Sequence, residues 1–339
     1  MALIDYQKIV NSLNPALLTI LAALTVIVGC SSSSSQCGEP YTLTWTDQLQ
    51  LAADIETLSS PDFEGRKTAT TGATRSRAYI VERMQQAKLA PWNQSYEQGF
   101  DYDYQFGRRH GVNIIGMHQA AIPSEKWRIV VAHYDHLGKK GYTYYPGADD
   151  NASGVSAMLA LAEYVSTQAS VQPLSTNLLF VATDAEEPGL YGSEALVERL
   201  LQHDSVPTKP QIELMINLDM IGRPSRRNHI YIEGRRGFNQ FAQLKVTLQQ
   251  TVGLCIRANH PPEAGKSIQR IDWLRASDHY PFHKANIPWL YFGVPPHQDY
   301  HQPSDKAAKI DMNFLAAVTE TAYQLLVIDS YLLNNQLKQ

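Results

Sequence analysis

The sequence predicts an α/β protein, a three-layer α/β/α sandwich around a mostly parallel mixed central sheet. Two observations lead there. From residue 112 onward, short apolar runs bounded by turn residues alternate with longer segments whose apolar residues recur at helical spacing. Strands separated by helices pair in parallel and are covered on both faces. Polar signatures rich in His, Asp and Glu follow several of these runs directly, where open α/β sheets gather their ligands. The 339 residues, 44% hydrophobic and 18% charged, show no internal repeat, and one catalytic domain of about 300 residues is the simplest partition.

The elements follow in order. Pro15 to Gly29 is an apolar run shorter than the ~20 residues that a spanning helix prefers, and it reads as the core of an export signal over residues 1–30. Val28-Gly29-Cys30 followed by the serine tract Ser31 to Ser35 resembles a bacterial lipoprotein signal with Cys30 as the lipidated residue. Lys8 is accompanied by Asp5 in the segment before the run, so plain secretion and an uncleaved anchor stay open. Residues 31–42 read as a flexible linker, with the folded part, 43–339, beginning near Leu43. Leu49 to Leu58 and Ala73 to Leu89 have helical spacing and flank a loop containing Phe63-Glu64-Gly65-Arg66. Strands are expected at Val112 to Met117, Trp127 to Ala132, Leu178 to Ala182, Glu213 to Leu218 and Trp289 to Phe292. Helices are expected at Ser153 to Thr167, Tyr191 to Gln202, Phe238 to Thr251 and Met312 to Leu333.

A net charge of −4 and a pI near 6.3 give no basic field for nucleic acid or an anionic membrane surface. The expected partner is a small molecule or peptide, and any membrane contact would come through the anchor at Cys30. If Cys30 carries lipid, Cys37 and Cys255 remain available to pair in an oxidising compartment, although the sequence does not establish the pairing.

The chemistry sits in short signatures. Trp127 to Ala132 is followed by His133-Tyr134-Asp135-His136, and extended geometry would put His133 and Asp135 on one side. His133 could then bind a metal while Asp135 orients its ring. Taken alone, His133 would be an ordinary satisfied polar residue, and its companions change that reading. Pro146 to Gly154 leads into a helix; an N-cap explains Asn151 or Ser153 but not the adjacent Asp149 and Asp150. Glu186 and Glu187 end the run after Ala182, and vicinal carboxylates in a dry site need cations or protons. Pro188 would keep Glu187 extended, so the two side chains point apart, one to a metal and one holding a proton. Asp219 closes the run Leu214 to Leu218 as either an N-cap or a ligand. Asp299-Tyr300-His301 supplies a second imidazole with a phenol beside it. Two imidazoles and three carboxylates suit a pair of zinc ions bridged by a carboxylate, and hence a hydrolase.

Together the signatures resemble the co-catalytic zinc aminopeptidases, the family of aminopeptidase Y and the glutamate carboxypeptidase II catalytic domain, from about Phe63 onward. Leu190-Tyr191-Gly192-Ser193 and Ser277 to Phe282 also match. The resemblance implies a zinc-exopeptidase fold and two Zn2+ per chain. One ion would be held by His133, Asp150 and Asp219, the other by Asp150, Glu187 and His301. It further implies Glu186 as general base, Asp135 as the residue behind His133, Tyr300 as an oxyanion donor, a cis peptide at Asp150-Asn151, and a peptide substrate with a free N-terminus. Glutaminyl cyclases share the fold and most ligands with one zinc, and an inactive binding module is the reading outside the enzymes.

Overall fold

The computed structural model describes residues 37–169, 171, 173–225, 228–261 and 271–333. The export signal, Cys30 and residues 31–36 of the expected linker lie outside the described residues.

Helix α1, Gln48–Leu58, starts where the Asp47 carboxylate accepts from the Leu49 and Gln50 amides, and α2, Thr71–Gln86, starts at the Thr70 hydroxyl. These contacts satisfy first-turn N–H groups that a helix leaves unpaired. The chain continues through β1 (Ala90–Pro91), β2 (Glu97–Tyr104), β3 (Gly107–His118) and β4 (Trp127–His133). A small ribbon of β5 (Lys139–Lys140) and β6 (Thr143–Tyr144) precedes α3, Gly154–Gln168. Then come β7 (Asn177–Thr183), α4 (Tyr191–Leu200), β8 (Ile212–Leu218), β9 (His229–Glu233), α5 (Phe241–Val252) and β10 (Cys255–Ala258). Helix α6 (His279–Lys284), β11 (Trp289–Gly293) and α7 (Met312–Val327) complete the order.

Among the described residues the large sheet has the order β1-β3-β7-β4-β8-β11-β9-β10, with β2 also pairing β3. Its centre, β7-β4-β8-β11, is parallel, and the antiparallel pairs lie toward the edges. Every residue of β4 and β7 is buried, as expected where helices cover both faces. Alternation along β4 sends Val130 and Ala132 into a core with α1, α2, α3, α5 and α7, and Ile129 and Val131 into a second core with α4 and α6. The three layers are those expected. No helix of the described residues is long and apolar enough to cross a membrane.

Several expectations change. The hairpin β2–β3 extends the sheet over Glu97 to Tyr104, a stretch not expected as a strand although its residues alternate, with Phe100, Tyr102 and Tyr104 on the covered side and Asp101 and Asp103 exposed. The last helix stops at Val327, because Ile328 turns extended before the short turn Ser330–Leu333. Residues 37–42 were expected as linker, yet they are tied to the domain: Cys37 is disulfide-bonded to Cys255 at the start of β10. The amides of Gly38 and Thr42 bond to the carbonyls of Gly253 and Val252 at 2.8 and 3.0 Å.

Candidate active site

The site lies at the C-terminal ends of the parallel strands. His133 is the last residue of β4, the Glu186-Glu187 pair follows β7, Asp219 follows β8, and His301 follows β11. The register that sets His133 against Thr183 brings the first two ends level.

Asp150 stands at the centre, almost wholly buried. It lies in the turn Ala148–Ser153 ahead of α3, where the Asp150-Asn151 peptide is cis. Its Oδ1 is 3.4 Å from His133 Nε2 and its Oδ2 is 3.2 Å from His301 Nε2. Asp219 Oδ1 lies 3.4 Å from His133 Nε2, and Glu187 Oε2 lies 3.1 Å from His301 Nε2. Every ligand expected from the sequence is therefore brought to one place, in two groups that share Asp150.

Local structure fixes each group. The Asn151 side-chain amide donates to Leu218 O at 2.8 Å and its Oδ1 accepts from Gly154 N and Met220 N. That one side chain starts α3 and clamps the backbone on both sides of Asp219. Arg66, fully buried, donates to the carbonyls of Leu58, Tyr134, Pro146 and Gly147. It pins the loop that leads to Asp150, and burial lowers its pKa to about 10 even though nearby carboxylates oppose the shift. Gly147 has φ +56°, and a Cβ there would meet Asp150 O at 2.2 Å, so only glycine lets this loop close.

Two expectations about local geometry are corrected. Beyond His133 the strand has ended, so Asp135 does not face His133 as a strand neighbour. The His133 Nδ1 lies 3.2 Å from the Asp135 carbonyl and 3.8 Å from its carboxylate. That carboxylate also accepts from the amides of Glu186 and Glu187 at 3.0 and 3.3 Å, so it positions the acidic pair as well. The pair itself lies in a turn, not in extended chain: Ala185 has φ 55°, and the amides of Gly189 and Leu190 both bond to Glu186 O. Its side chains still part. Glu187 meets His136 and His301, while the charges felt by Glu186 are those of His133, Asp219, Glu187 and Asp278.

Burial lifts the Glu186 carboxyl well above the ordinary carboxylate range; the neighbouring Asp219, Glu187 and Asp278 add to this and His133 opposes it. Burial would also raise Asp150, but the imidazoles of His133 and His301 beside its two oxygens hold it well below that range. For His301 burial acts downward, and the carboxylates of Asp150 and Glu187 overcome it, raising the imidazole to about 10.

Tyr300 stacks on the His301 ring with centroids 3.8 Å apart, and His301 itself has a positive φ of 57°, a conformation that non-glycine residues hold only when their surroundings fix it. Those surroundings are polar. Asp299 accepts from Arg223, Lys309 and Ser304, Asp149 pairs with His297 at 3.0 Å, and Asp305 accepts the amides of Asp149 and Asp150. Sequence reasoning passed over His136, Asp305 and Arg66. His136 was legible only as part of its motif, because strand alternation would have turned it away from His133.

The donor set fits zinc: imidazole nitrogens and carboxylate oxygens converge as His133, Asp150 and Asp219, and around Asp150 and Glu187, where both His136 and His301 are within reach. Asp150 Oδ2 has no hydrogen-bond partner although it is buried, which is the condition of an atom placed for a cation.

Residues 113–326 match peptidase family M28, and the chain belongs to that family. It is 29% identical over 189 residues to aminopeptidase YwaD of Bacillus subtilis, across 53% of this chain and 36% of the relative. The chain spans between 36% and 65% of the length of the first curated relatives it matches. Its fold matches BSAP, a zinc aminopeptidase from Bacillus subtilis, with a TM-score of 0.65 at 17% identity over 85% of this chain and 98% of the other. It also matches the glutaminyl cyclase of Porphyromonas gingivalis, with a TM-score of 0.62 at 19% identity over 83% and 98%.

Proposed function

We propose that the chain is an exported zinc-dependent aminopeptidase that removes N-terminal residues from peptides, with a pair of zinc ions that His133, Asp150 and Asp219 and Asp150, Glu187 and His301 would hold. The observation that carries this reading is the division of the Asp150 carboxylate, one oxygen toward His133 and Asp219 and the other toward His301 and Glu187. When bound, zinc supplies Lewis-acid polarisation of the scissile carbonyl and lowers the pKa of water at the site. Glu186, held at its amide by Asp135, takes the proton of the attacking water on its carboxylate and returns it to the leaving amine. The raised affinity of Glu186 for a proton suits the second half of that task. The Tyr300 hydroxyl offers a hydrogen bond to the developing oxyanion. The acids around the cleft receive the free α-amino group of the substrate.

The competing reading is cyclisation of N-terminal glutamine with one zinc, which the cyclase of similar fold keeps in view. A panel of aminoacyl chromogenic amides and a glutaminyl peptide, each with and without chelator, separates the two. Amide hydrolysis lost to chelator and restored by zinc is expected; cyclisation without hydrolysis, at one zinc per chain, would overturn the proposal.

Export rests on residues 1–30, with Cys30 as the lipidated residue, and the Cys37–Cys255 disulfide supports an oxidising compartment. Mass spectrometry of the protein from its host should find a mature N-terminus at a lipid-bearing Cys30. An N-terminus elsewhere, or a free Cys30 thiol, would leave export without the anchor.

A further inference from the structure

His136 is a wholly buried histidine beside the second group of donors, and neither the family resemblance nor the mechanism above uses it. Its Nδ1 lies 2.7 Å from Glu187 Oε1, a hydrogen-bond distance, and 3.8 Å from Asp150 Oδ2. His301 stands differently. Its Nε2 is 3.2 Å from Asp150 Oδ2 and 3.1 Å from Glu187 Oε2, so it faces both carboxylates at once, while His136 stands behind one of them. The two oxygens of Glu187 are thus divided, Oε1 to His136 and Oε2 toward His301 and Asp150.

The Glu187 carboxylate decides where the proton sits. His136 Nε2 is buried with no hydrogen-bond partner. An ionised carboxylate can only accept, so the short contact with Glu187 Oε1 requires a proton on Nδ1. Nδ1–H then donates to Glu187 Oε1, and Nδ1 has no lone pair to give to an ion. The ring is held by more than this bond: the His136 amide bonds to Arg66 O at 3.4 Å, and the His301 ring packs edge-on at 5.7 Å.

We propose that His136 is a positioning residue for the second ion: by holding Glu187 Oε1 it leaves Glu187 Oε2, Asp150 Oδ2 and His301 Nε2 to face the metal. Glu187 sits on a turn, and that bond fixes the oxygen that His301 does not meet. This assignment rests on the two-ion reading. Partners that orient metal ligands in this way typically contribute about 10–100-fold in metal affinity.

The test is a zinc titration of the metal-free full chain against a competing chromophoric chelator, with cobalt(II) absorption as a second readout. The wild type should take up two ions. His136→Leu should weaken one of them by about 10–100-fold and leave the other unchanged, because His136 approaches the His133, Asp150 and Asp219 group only at Asp150 Oδ2, 3.8 Å away and beyond hydrogen-bond distance. In His136→Asn the side-chain amide can take the place of ring Nδ1–H, so this variant should recover most of the affinity and keep the wild-type cobalt spectrum. A Leu variant that binds both ions as the wild type does would overturn the proposal. So would an Asn variant that loses the second ion and changes the cobalt spectrum, since that would make the imidazole itself a ligand. If the Leu variant binds neither ion, the Asn variant decides. A wild-type chain that takes up a single ion overturns the two-ion reading instead, a failure visible before any variant is made.

Discussion

The two halves of the metal site are built differently. His133 and Asp219 stand at the ends of adjacent parallel strands, β4 and β8, and the His133 side chain is 1% exposed. Their positions follow from sheet register, and Asn151 clamps the backbone around Asp219. Glu187 and His301 stand on turns, and the His301 side chain is 34% exposed, with a left-handed backbone held by its neighbours. Strand ends inherit the rigidity of the sheet, whereas loop-borne ligands need a polar scaffold of their own. Here that scaffold is Asp299 with Arg223, Lys309 and Ser304, together with Asp149–His297. The loop-borne half is therefore the part that neighbouring substitutions can loosen, and its imidazole is the one open to solvent.

Replacing the shared residue should erase the distinction. Asp150→Ala is expected to lose both ions and reduce peptidase activity to background, as read by elemental analysis and a chromogenic assay; retention of either ion at wild-type affinity would show that the halves do not depend on a common carboxylate. Glu186→Gln removes the proton carrier without touching either half. It should keep both ions and lower kcat by a factor of about 100 or more, the scale of general-base catalysis, and wild-type turnover would place the base elsewhere.

Tyr300→Phe sharpens the comparison within the loop-borne half. The ring that stacks on His301 is kept and only the hydroxyl is lost, so metal content should hold while kcat falls by about 100-fold, as for removal of one oxyanion donor. An unchanged kcat would leave Tyr300 with the stacking role alone. The smallest expected effect comes from Asp299→Ala, which takes away the acceptor shared by Arg223, Lys309 and Ser304. The more weakly held ion should lose about tenfold in affinity, with the other unmoved in the same competition titration. Equal weakening of both ions would break the contrast between the halves.

How much of this was legible beforehand differs between the same two regions. β4, β7, β8 and β11 could be read within a residue or two, because a strand buried on both faces is a continuous apolar run wherever it occurs. The ligands at their ends could be read with them. The hairpin strand β2 was missed for another reason: its trace is an alternation, Phe100, Tyr102 and Tyr104 between exposed aspartates, and not the continuous apolar run of the central strands. Around the loops, reasoning by alternation failed at the residue where the strand stopped. It saw Asp135 behind the His133 ring, 3.8 Å from Nδ1, but not that its carboxylate holds the Glu186 and Glu187 amides, and it gave no role to His136.

By itself the sequence determined the layers, the order of the central elements and the polar signatures that meet at the strand ends, because each of these is written in a local period or in a residue type that a given chemistry requires. The tertiary structure decided which oxygen of Asp150 faces which histidine, that Arg66 gathers the carbonyls of the metal loop, and that Cys37 ties the start of the domain to Cys255. These are pairings between side chains and backbone groups far apart in the chain, each chosen by burial and by the need to satisfy every buried polar atom. No local pattern encodes them, since their partners exist only once the sheet has brought its strand ends together.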